Sequence, residues 1–146
     1  MADRFCTESV MESIKKEIED RKIPIKRQYL ASEYYEKRMK EYKKQDEIVI
    51  FGSGNYGRDL YKMMIQEGIQ SVRCFCDNGA ARQHKQLSGL EILSPDEAIE
   101  KFPNAMYIVT PKGYGDEIMR QLVGMGIDVR HISIFTMELT GLEEFI

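Results

Sequence analysis

A short apolar run followed by three spaced glycines constrains the fold of this chain more than any other feature. Ile48–Phe51 contains four consecutive apolar residues, which is typical of a strand buried on both faces of a parallel sheet. Gly52, Gly54 and Gly57 follow at the spacing G-x-G-x-x-G, and the residues after them have helical periodicity. A strand that turns into a helix in this way leaves free N–H groups at the first helical turn, which predicts a phosphate-binding loop.

Each glycine of the pattern has its own structural role. Gly52 permits a sharp turn, Gly54 lets a ligand approach the backbone, and Gly57 lets the helix pack closely on the sheet. Asp77 ends the next predicted strand at about the distance, roughly 20 residues, where an acid accepts hydrogen bonds from ribose hydroxyls. The expected ligand is a nucleotide, and the acid favours NAD over NADP. Two alternatives stay open, because the glycines can form a mere packing turn and Asp77 with Asn78 can simply turn the chain.

From residue 47 onward, strand and helix patterns alternate. Ser94 is a predicted N-cap, with a proline at the first helical position and Glu97 placed for a capping box. The alternation predicts an α/β fold, a single Rossmann-like half with a five-stranded, mostly parallel sheet in the order 3-2-1-4-5. The predicted strands are 48–51, 71–76, 90–93, 106–110 and 129–132, and the predicted helices are 55–67, one after Ser94, and 117–125.

An amphipathic helical hairpin is predicted before this domain. The first helix spans 7–20, with Ser9 and Glu12 spaced as a capping box, and ends before Pro24. The apolar stripes of the hairpin must be covered by the main domain, by a second copy of the chain in a homo-oligomer, or by another protein. The second helix spans 26–44, and its stripe contains Leu30, Tyr34, Tyr35, Met39 and Tyr42. The predicted segments are a helical arm at 1–45, a nucleotide-binding domain at 46–135 and a C-terminal tail at 136–146.

Composition and charge narrow the classes of function. No run approaches the roughly 18 apolar residues of a membrane span, and the first residues lack a signal-peptide pattern, so a cytoplasmic protein is predicted. From residue 47 onward, 14 acidic residues exceed 9 basic ones, which argues against a nucleic-acid surface. Cys74 and Cys76 are two residues apart on a predicted strand and share a face. They are therefore predicted to fill the core instead of forming a CxxC metal or redox pair.

Two predicted loops face the crevice where the strand order reverses. In the first, 52–58, Arg58 is placed to reach a phosphate or to pair with Asp116. In the second, 110–115, Thr110 has a hydroxyl to donate, and Lys112 either meets a phosphate or carboxylate or stays a solvated loop residue. The predicted cofactor-binding residues are Gly52, Ser53, Gly54, Asn55, Tyr56, Gly57, Arg58, Asp77, Asn78, Thr110 and Lys112.

The segment 77–89 takes the place of a helix in a full dinucleotide fold. It contains Arg82, His84 and Lys85, and it is predicted either to fold over a ligand or to stay mobile. Neither His84 nor His131 belongs to a nucleophile motif, and no paired-carboxylate or metal-ligand spacing is present. No catalytic or metal-binding residues are therefore predicted. One half of a dinucleotide fold also lacks a domain to place a substrate against a nicotinamide ring, so the chain alone is not expected to be a dehydrogenase.

Four segments together resemble a family of Rossmann-like modules in bacterial surface-polysaccharide enzymes. They are IVIFGSGNYGR at 48–58, RCFCDN at 73–78, LSGLEILSPDE at 87–97 and YIVT at 107–110. Such modules are attached to FkbM-type methyltransferases, to sugar C-methyltransferases and to the N-terminus of amino-sugar acyltransferases with a left-handed β-helix. The resemblance covers residues 46–132 and implies nucleotide-sugar binding, with Gly52, Gly54, Gly57, Asp77 and Asn78 as the residues to test.

Three functions are consistent with these observations. The first is an accessory module that binds a nucleotide sugar or an NAD-like molecule within a sugar-modifying system, with a transferase as partner. The second is an oligomeric interaction domain whose glycine turn no longer binds a ligand. The third is a small NAD-dependent sugar oxidoreductase or epimerase that a partner chain completes.

Overall fold

The computed structural model describes residues 25–110 and 115–135, with side chains from residue 33 onward. The helices are α1 (Ile25–Lys43), α2 (Asn55–Gln66), α3 (Pro95–Lys101) and α4 (Gly115–Gly124), with a 3₁₀ turn at Val129–His131. The strands are β1 (Ile48–Phe51), β2 (Val72–Cys76), β3 (Gln86–Leu87), β4 (Leu90–Leu93), β5 (Met106–Val109) and β6 (Ile132–Ile134). The predicted helix at 7–20, with Ser9 and Glu12, and the predicted tail at 136–146 lie outside the described residues.

The described strands form one sheet in the order β3-β4-β2-β1-β5-β6. All but β3 are parallel, which confirms the predicted order 3-2-1-4-5 for the parallel strands. Phe51 of β1 aligns with Cys76 of β2 on one side and with Val109 of β5 on the other. The chain therefore reverses its direction of travel across the sheet at β1. This reversal leaves a crevice beyond the carboxyl ends of β1, β2 and β5.

Two details of the sheet differ from the prediction. The predicted count of five strands was wrong, because β3 is a sixth strand that pairs antiparallel with β4. With two residues it is too short to show an alternating pattern. The last strand begins at Ile132 and not at residue 129, because Asp128 caps the 3₁₀ turn before it. Its Oδ1 accepts a hydrogen bond of 2.8 Å from the backbone N of Arg130.

The predicted start of α3 is confirmed. The hydroxyl of Ser94 accepts a hydrogen bond of 3.2 Å from the backbone N of Glu97, and Glu97 Oε1 accepts one of 3.0 Å from the backbone N of Ser94. Pro95 occupies the first helical turn, where its missing N–H costs nothing. The helix therefore begins where its N-terminal N–H groups are satisfied locally.

The core of the sheet is apolar on both faces of β1. Val49 and Phe51 pack on one face within a cluster that includes side chains of β2, β5, α3 and α4. Cys74 and Cys76 belong to the same cluster as free, buried thiols, which confirms their predicted packing role. Burial raises the pKa of Cys74 to about 12 and that of Cys76 further still, so both thiols stay neutral.

The chain divides into two compact units, and one of them contains α1 and Lys62–Gln70. In this unit the Tyr35 hydroxyl donates a hydrogen bond of 2.9 Å to Glu67, and Lys43 Nζ lies 3.3 Å from the same carboxylate. Tyr35, Met39 and Tyr42 of the predicted stripe are buried, and Tyr34 is half-buried. The other unit contains the sheet. None of the described helices combines the length and apolarity that crossing a bilayer requires.

Candidate functional site

A cavity of about 410 Å³ opens at the carboxyl ends of β1, β2 and β5. Its volume is within the range of small-molecule sites, about 300–1,000 Å³. Its position, at the strand where the sheet order reverses, is where open α/β sheets bind ligands. The lining residues are Phe51, Gly52, Ser53, Gly54, Asn55, Tyr56, Gly57, Asp77, Asn78, Arg82, Thr110, Glu117 and Ile118.

The glycine turn at 52–57 forms one wall of the cavity. Gly52 has a φ of 121°, a conformation that L side chains rarely adopt. A Cβ on Gly57 would lie 1.9 Å from the carbonyl oxygen of Gly52, so α2 packs against the turn at a distance that only glycine permits. Gly54 is different, because a Cβ there would meet only the end of a flexible side chain, Nη1 of Arg82, at 3.3 Å. The backbone at Gly54 is thus open to the cavity.

Asp77 ties the glycine turn to the end of β2. Its Oδ2 accepts hydrogen bonds from the backbone N of Ser53 at 3.0 Å and from the Ser53 hydroxyl at 2.6 Å, and its Oδ1 accepts one from the backbone N of Gly79 at 2.8 Å. Burial alone raises the pKa of Asp77, but these hydrogen bonds and the charge of Arg82 outweigh it and lower the pKa below its usual value. The carboxylate is therefore ionised and already has three donors.

Thr110 joins β5 to β1 at the floor of the cavity. Its backbone N donates a hydrogen bond of 3.0 Å to the carbonyl of Phe51, and its hydroxyl donates one of 3.2 Å to the same oxygen. Thr110 is buried, as is Ser53. The hydroxyls of Ser53 and Thr110 therefore stabilise the protein's own carboxylate and backbone groups.

An amide pair connects the residue after Asp77 with α4. Nδ2 of Asn78 donates to Oε1 of Gln121, and Nε2 of Gln121 donates to Oδ1 of Asn78, each at 2.9 Å. Asn78 follows β2 and Gln121 lies on the helix that follows β5, so the pair spans from one side of β1 to the other. This amide pair links α4 with the loop that contains Asp77.

Residues 44–133, which include every residue of this cavity, match the family described as C2185-like, N-terminal. The chain belongs to the C2185-like, N-terminal family. No curated protein sequence matches this C2185-like domain significantly.

Solved structures similar to the C2185-like domain include an enzyme and a repressor. UDP-D-quinovosamine 4-dehydrogenase from Vibrio fischeri is 19% identical with a TM-score of 0.48, and the match covers 63% of this chain and 77% of that one. RSP, a Rex-family repressor, is 21% identical with a TM-score of 0.49, over 71% of this chain and 52% of its own. RSP with beta-NADH is 18% identical with a TM-score of 0.47, over 71% and 60%. The C2185-like domain thus spans little more than half of the repressor, and the named ligands belong to those proteins.

Arg82 and Glu117 line the cavity of the C2185-like domain although they were not among the predicted site residues. Arg82 lies in the loop between β2 and β3, and Glu117 lies in the first turn of α4. Both follow strands that flank β1, so the rule that ligands bind beyond the carboxyl ends was the available signal. Nothing else in the sequence distinguishes them from charged residues that are simply exposed to solvent.

Two predicted residues are placed differently from the rest. Arg58 is not among the lining residues, and its guanidinium contacts Asp59 at 3.3 Å instead of Asp116. Lys112 lies outside the described residues. The other nine predicted residues, from Gly52 to Thr110, all line the cavity.

Proposed function

We propose that this C2185-like domain binds a nucleotide in the cavity, with the phosphates on the glycine turn at 52–57. The ligand is a nucleotide sugar or an NAD-like molecule. The single observation that carries the proposal is the contact between Gly57 and the Gly52 carbonyl, since it brings the first turn of α2 against the end of β1 while Gly54 stays open to the cavity. A phosphate placed there meets backbone N–H groups and the positive end of a helix dipole.

The resemblance to modules of surface-polysaccharide enzymes supports a place within a sugar-modifying system. In that role the domain is an accessory binding module, and a transferase supplies the chemistry. We assign no catalytic residue to it. The predicted NAD preference over NADP rests on the Asp77 carboxylate, which repels a 2′-phosphate.

Thermal and urea unfolding with UDP-sugars and NAD test this function. A ligand present at 100 times its dissociation constant stabilises the folded state by about 2.7 kcal/mol. Gly54→Val should abolish this stabilisation by filling the space above the turn, and the variant should still fold because only the Arg82 side chain is near. Gly124→Val is the matched control, because Gly124 does not line the cavity and a Cβ there meets nothing within 4 Å. Unchanged affinity in Gly54→Val would place the ligand elsewhere.

A second candidate function is an interaction domain without a ligand. The observation that favours it is the internal use of polar groups, since Asp77, Ser53 and Thr110 all bond within the protein. This candidate predicts no stabilisation by any nucleotide at millimolar concentration in folded protein. The same unfolding experiment therefore separates the two.

A further inference from the structure

Two side chains of opposite charge, Arg82 and Glu117, line the cavity. Neither the guanidinium of Arg82 nor the carboxylate of Glu117 forms a hydrogen bond or ion pair with any residue in the described part of the chain. Four other polar side chains of the cavity, those of Ser53, Asp77, Asn78 and Thr110, bond to the protein itself. Within the described residues, Arg82 and Glu117 thus give the cavity a cation and an anion whose charges no protein hydrogen bond or ion pair occupies.

The backbone that carries Arg82 is held in place. Its N–H donates a hydrogen bond of 2.9 Å to the Gly79 carbonyl, and the Gln83 side chain donates one of 2.9 Å to the carbonyl of Asp77. Three residues after Arg82 the loop joins β4, because the backbone N of Ile92 donates a hydrogen bond of 2.8 Å to the carbonyl of Lys85. The backbone of Arg82 is therefore fixed relative to the sheet. Nη1 of Arg82 lies 3.3 Å from the position that a Cβ would occupy on Gly54.

The position of Arg82 has an electrostatic consequence. Its positive charge lies over Gly54, immediately before the positive end of the α2 dipole, and the two repel. The Asp77 carboxylate, whose pKa the charge of Arg82 lowers, offsets part of this repulsion, but Asp77 does not contact the guanidinium within hydrogen-bond or ion-pair distance in the described residues. An anionic group between the guanidinium and the turn would satisfy both the cation and the free N–H groups of the helix.

Glu117 lies on the other side of β1. It follows β5, whereas Arg82 follows β2, and β1 separates these strands in the sheet. Asp116 and Glu117 both lie in the first turn of α4, where a negative charge interacts favourably with the helix dipole. Of these two, Glu117 lines the cavity and Asp116 does not. A carboxylate there accepts hydrogen bonds from hydroxyl groups and repels another anion.

We propose that Arg82 and Glu117 select the ligand by charge: Arg82 binds its phosphates, and Glu117 rejects ligands that carry a further anionic group toward α4. This selection rests on the proposed nucleotide binding, and it assigns a phosphate-binding role to Arg82 and an anion-excluding role to Glu117. The accepted class is a nucleotide whose remainder bears hydroxyl groups and no negative charge.

Calorimetric titration with two matched ligand pairs tests the rule. UDP-glucose is compared with UDP-glucuronate, and NAD with nicotinic acid adenine dinucleotide, because the second member of each pair adds one carboxylate. We expect wild-type protein to prefer the first member of whichever pair binds. Glu117→Gln should reduce that preference by about 2- to 5-fold, the size of a partly exposed charge interaction. Asp116→Asn should leave the preference unchanged.

Arg82 is tested with the same ligands. Arg82→Ala should weaken binding of both members of a pair by about 10-fold, as the loss of a charged hydrogen bond does. Lys85→Ala removes a cation from the same loop outside the cavity and should change binding less than 2-fold. Equal effects of the Arg82 and Lys85 substitutions, or a preference that Glu117→Gln leaves intact, overturn the inference while nucleotide binding stands. Wild-type protein that binds neither pair overturns both.

Discussion

The glycine turn at 52–57 and the loop at 77–85 both contribute to the cavity, but different contacts hold them. The turn depends on backbone geometry, with Gly52 in a conformation reserved for glycine and Gly57 against a carbonyl. The loop is held by backbone hydrogen bonds, including those to β4, together with the polar side chains of Asp77 and Gln83, and it exposes Arg82. A turn that requires glycine at two positions accepts few substitutions there, whereas the exposed side chains of the loop are free to vary. On the proposed function, the turn determines where the phosphates of a ligand bind, and the loop contributes Arg82 to hold them.

Gly57→Ala should cause the largest loss of stability because it breaks the turn directly. The new Cβ would lie 1.9 Å from the Gly52 carbonyl oxygen, so α2 must move away from the sheet. We expect a loss of about 3 kcal/mol in the free energy of unfolding, the upper part of the range for overpacking. Urea unfolding measures it. Gly124→Ala is the control, and it should stabilise the protein by about 0.5–1 kcal/mol because its Cβ meets no atom and favours the helix.

Asp77→Asn should have the next largest effect because Asp77 connects the loop with the turn. An amide has one acceptor oxygen for three donors, which should cost about 1–2 kcal/mol at neutral pH after allowance for partial exposure. The folded-state pKa of Asp77 lies below its unfolded value of about 3.9, so its stabilisation is complete above that value and is lost as the pH falls through the folded-state pKa. Urea unfolding of both proteins between pH 7 and pH 3 should show the difference shrinking only at the acid end. A constant difference would contradict the hydrogen-bonding role.

His84 tests the backbone conformation of the loop. Its φ of 69° is left-handed, a conformation that costs an ordinary L residue about 1 kcal/mol relative to glycine. His84→Gly and His84→Ala both remove the imidazole that contacts Glu97 at 2.8 Å, and only alanine retains the backbone cost. The glycine variant should therefore be about 1 kcal/mol more stable than the alanine variant in urea unfolding. Equal stabilities would mean that the loop has no fixed backbone conformation.

The same contrast explains how much the sequence could predict. The run Ile48–Phe51 and the glycine spacing predict the central strand, the turn and the parallel order, because buried strands and backbone-limited turns leave direct patterns. The capping box of Ser94 was predictable for the same reason. The places of Arg82 and Glu117 in the cavity were not predictable, because the sequence pattern around a charged residue in a loop or a first helical turn is the same whether or not its side chain faces a cavity. The bond between Asp77 and Ser53 was also hidden, because both side chains had equally good local alternatives.

Substitutions in the amide pair of Asn78 and Gln121 should have the smallest effect on stability. They test whether the loop is energetically coupled to α4. Asn78 and Gln121 exchange two hydrogen bonds of 2.9 Å, but both groups are partly exposed to water, which competes for them. A double-mutant cycle with Asn78→Ala and Gln121→Ala should give a coupling of about 0.5 kcal/mol. Arg73→Ala paired with Gln121→Ala is the control, because Arg73 does not line the cavity and its guanidinium bonds the backbone of Asp46 instead. A coupling energy no larger than that of the control pair would show that α4 does not stabilise the loop. The side-chain contacts that hold the loop would then be those of Asp77, which bonds to Ser53 of the glycine turn, and of Gln83.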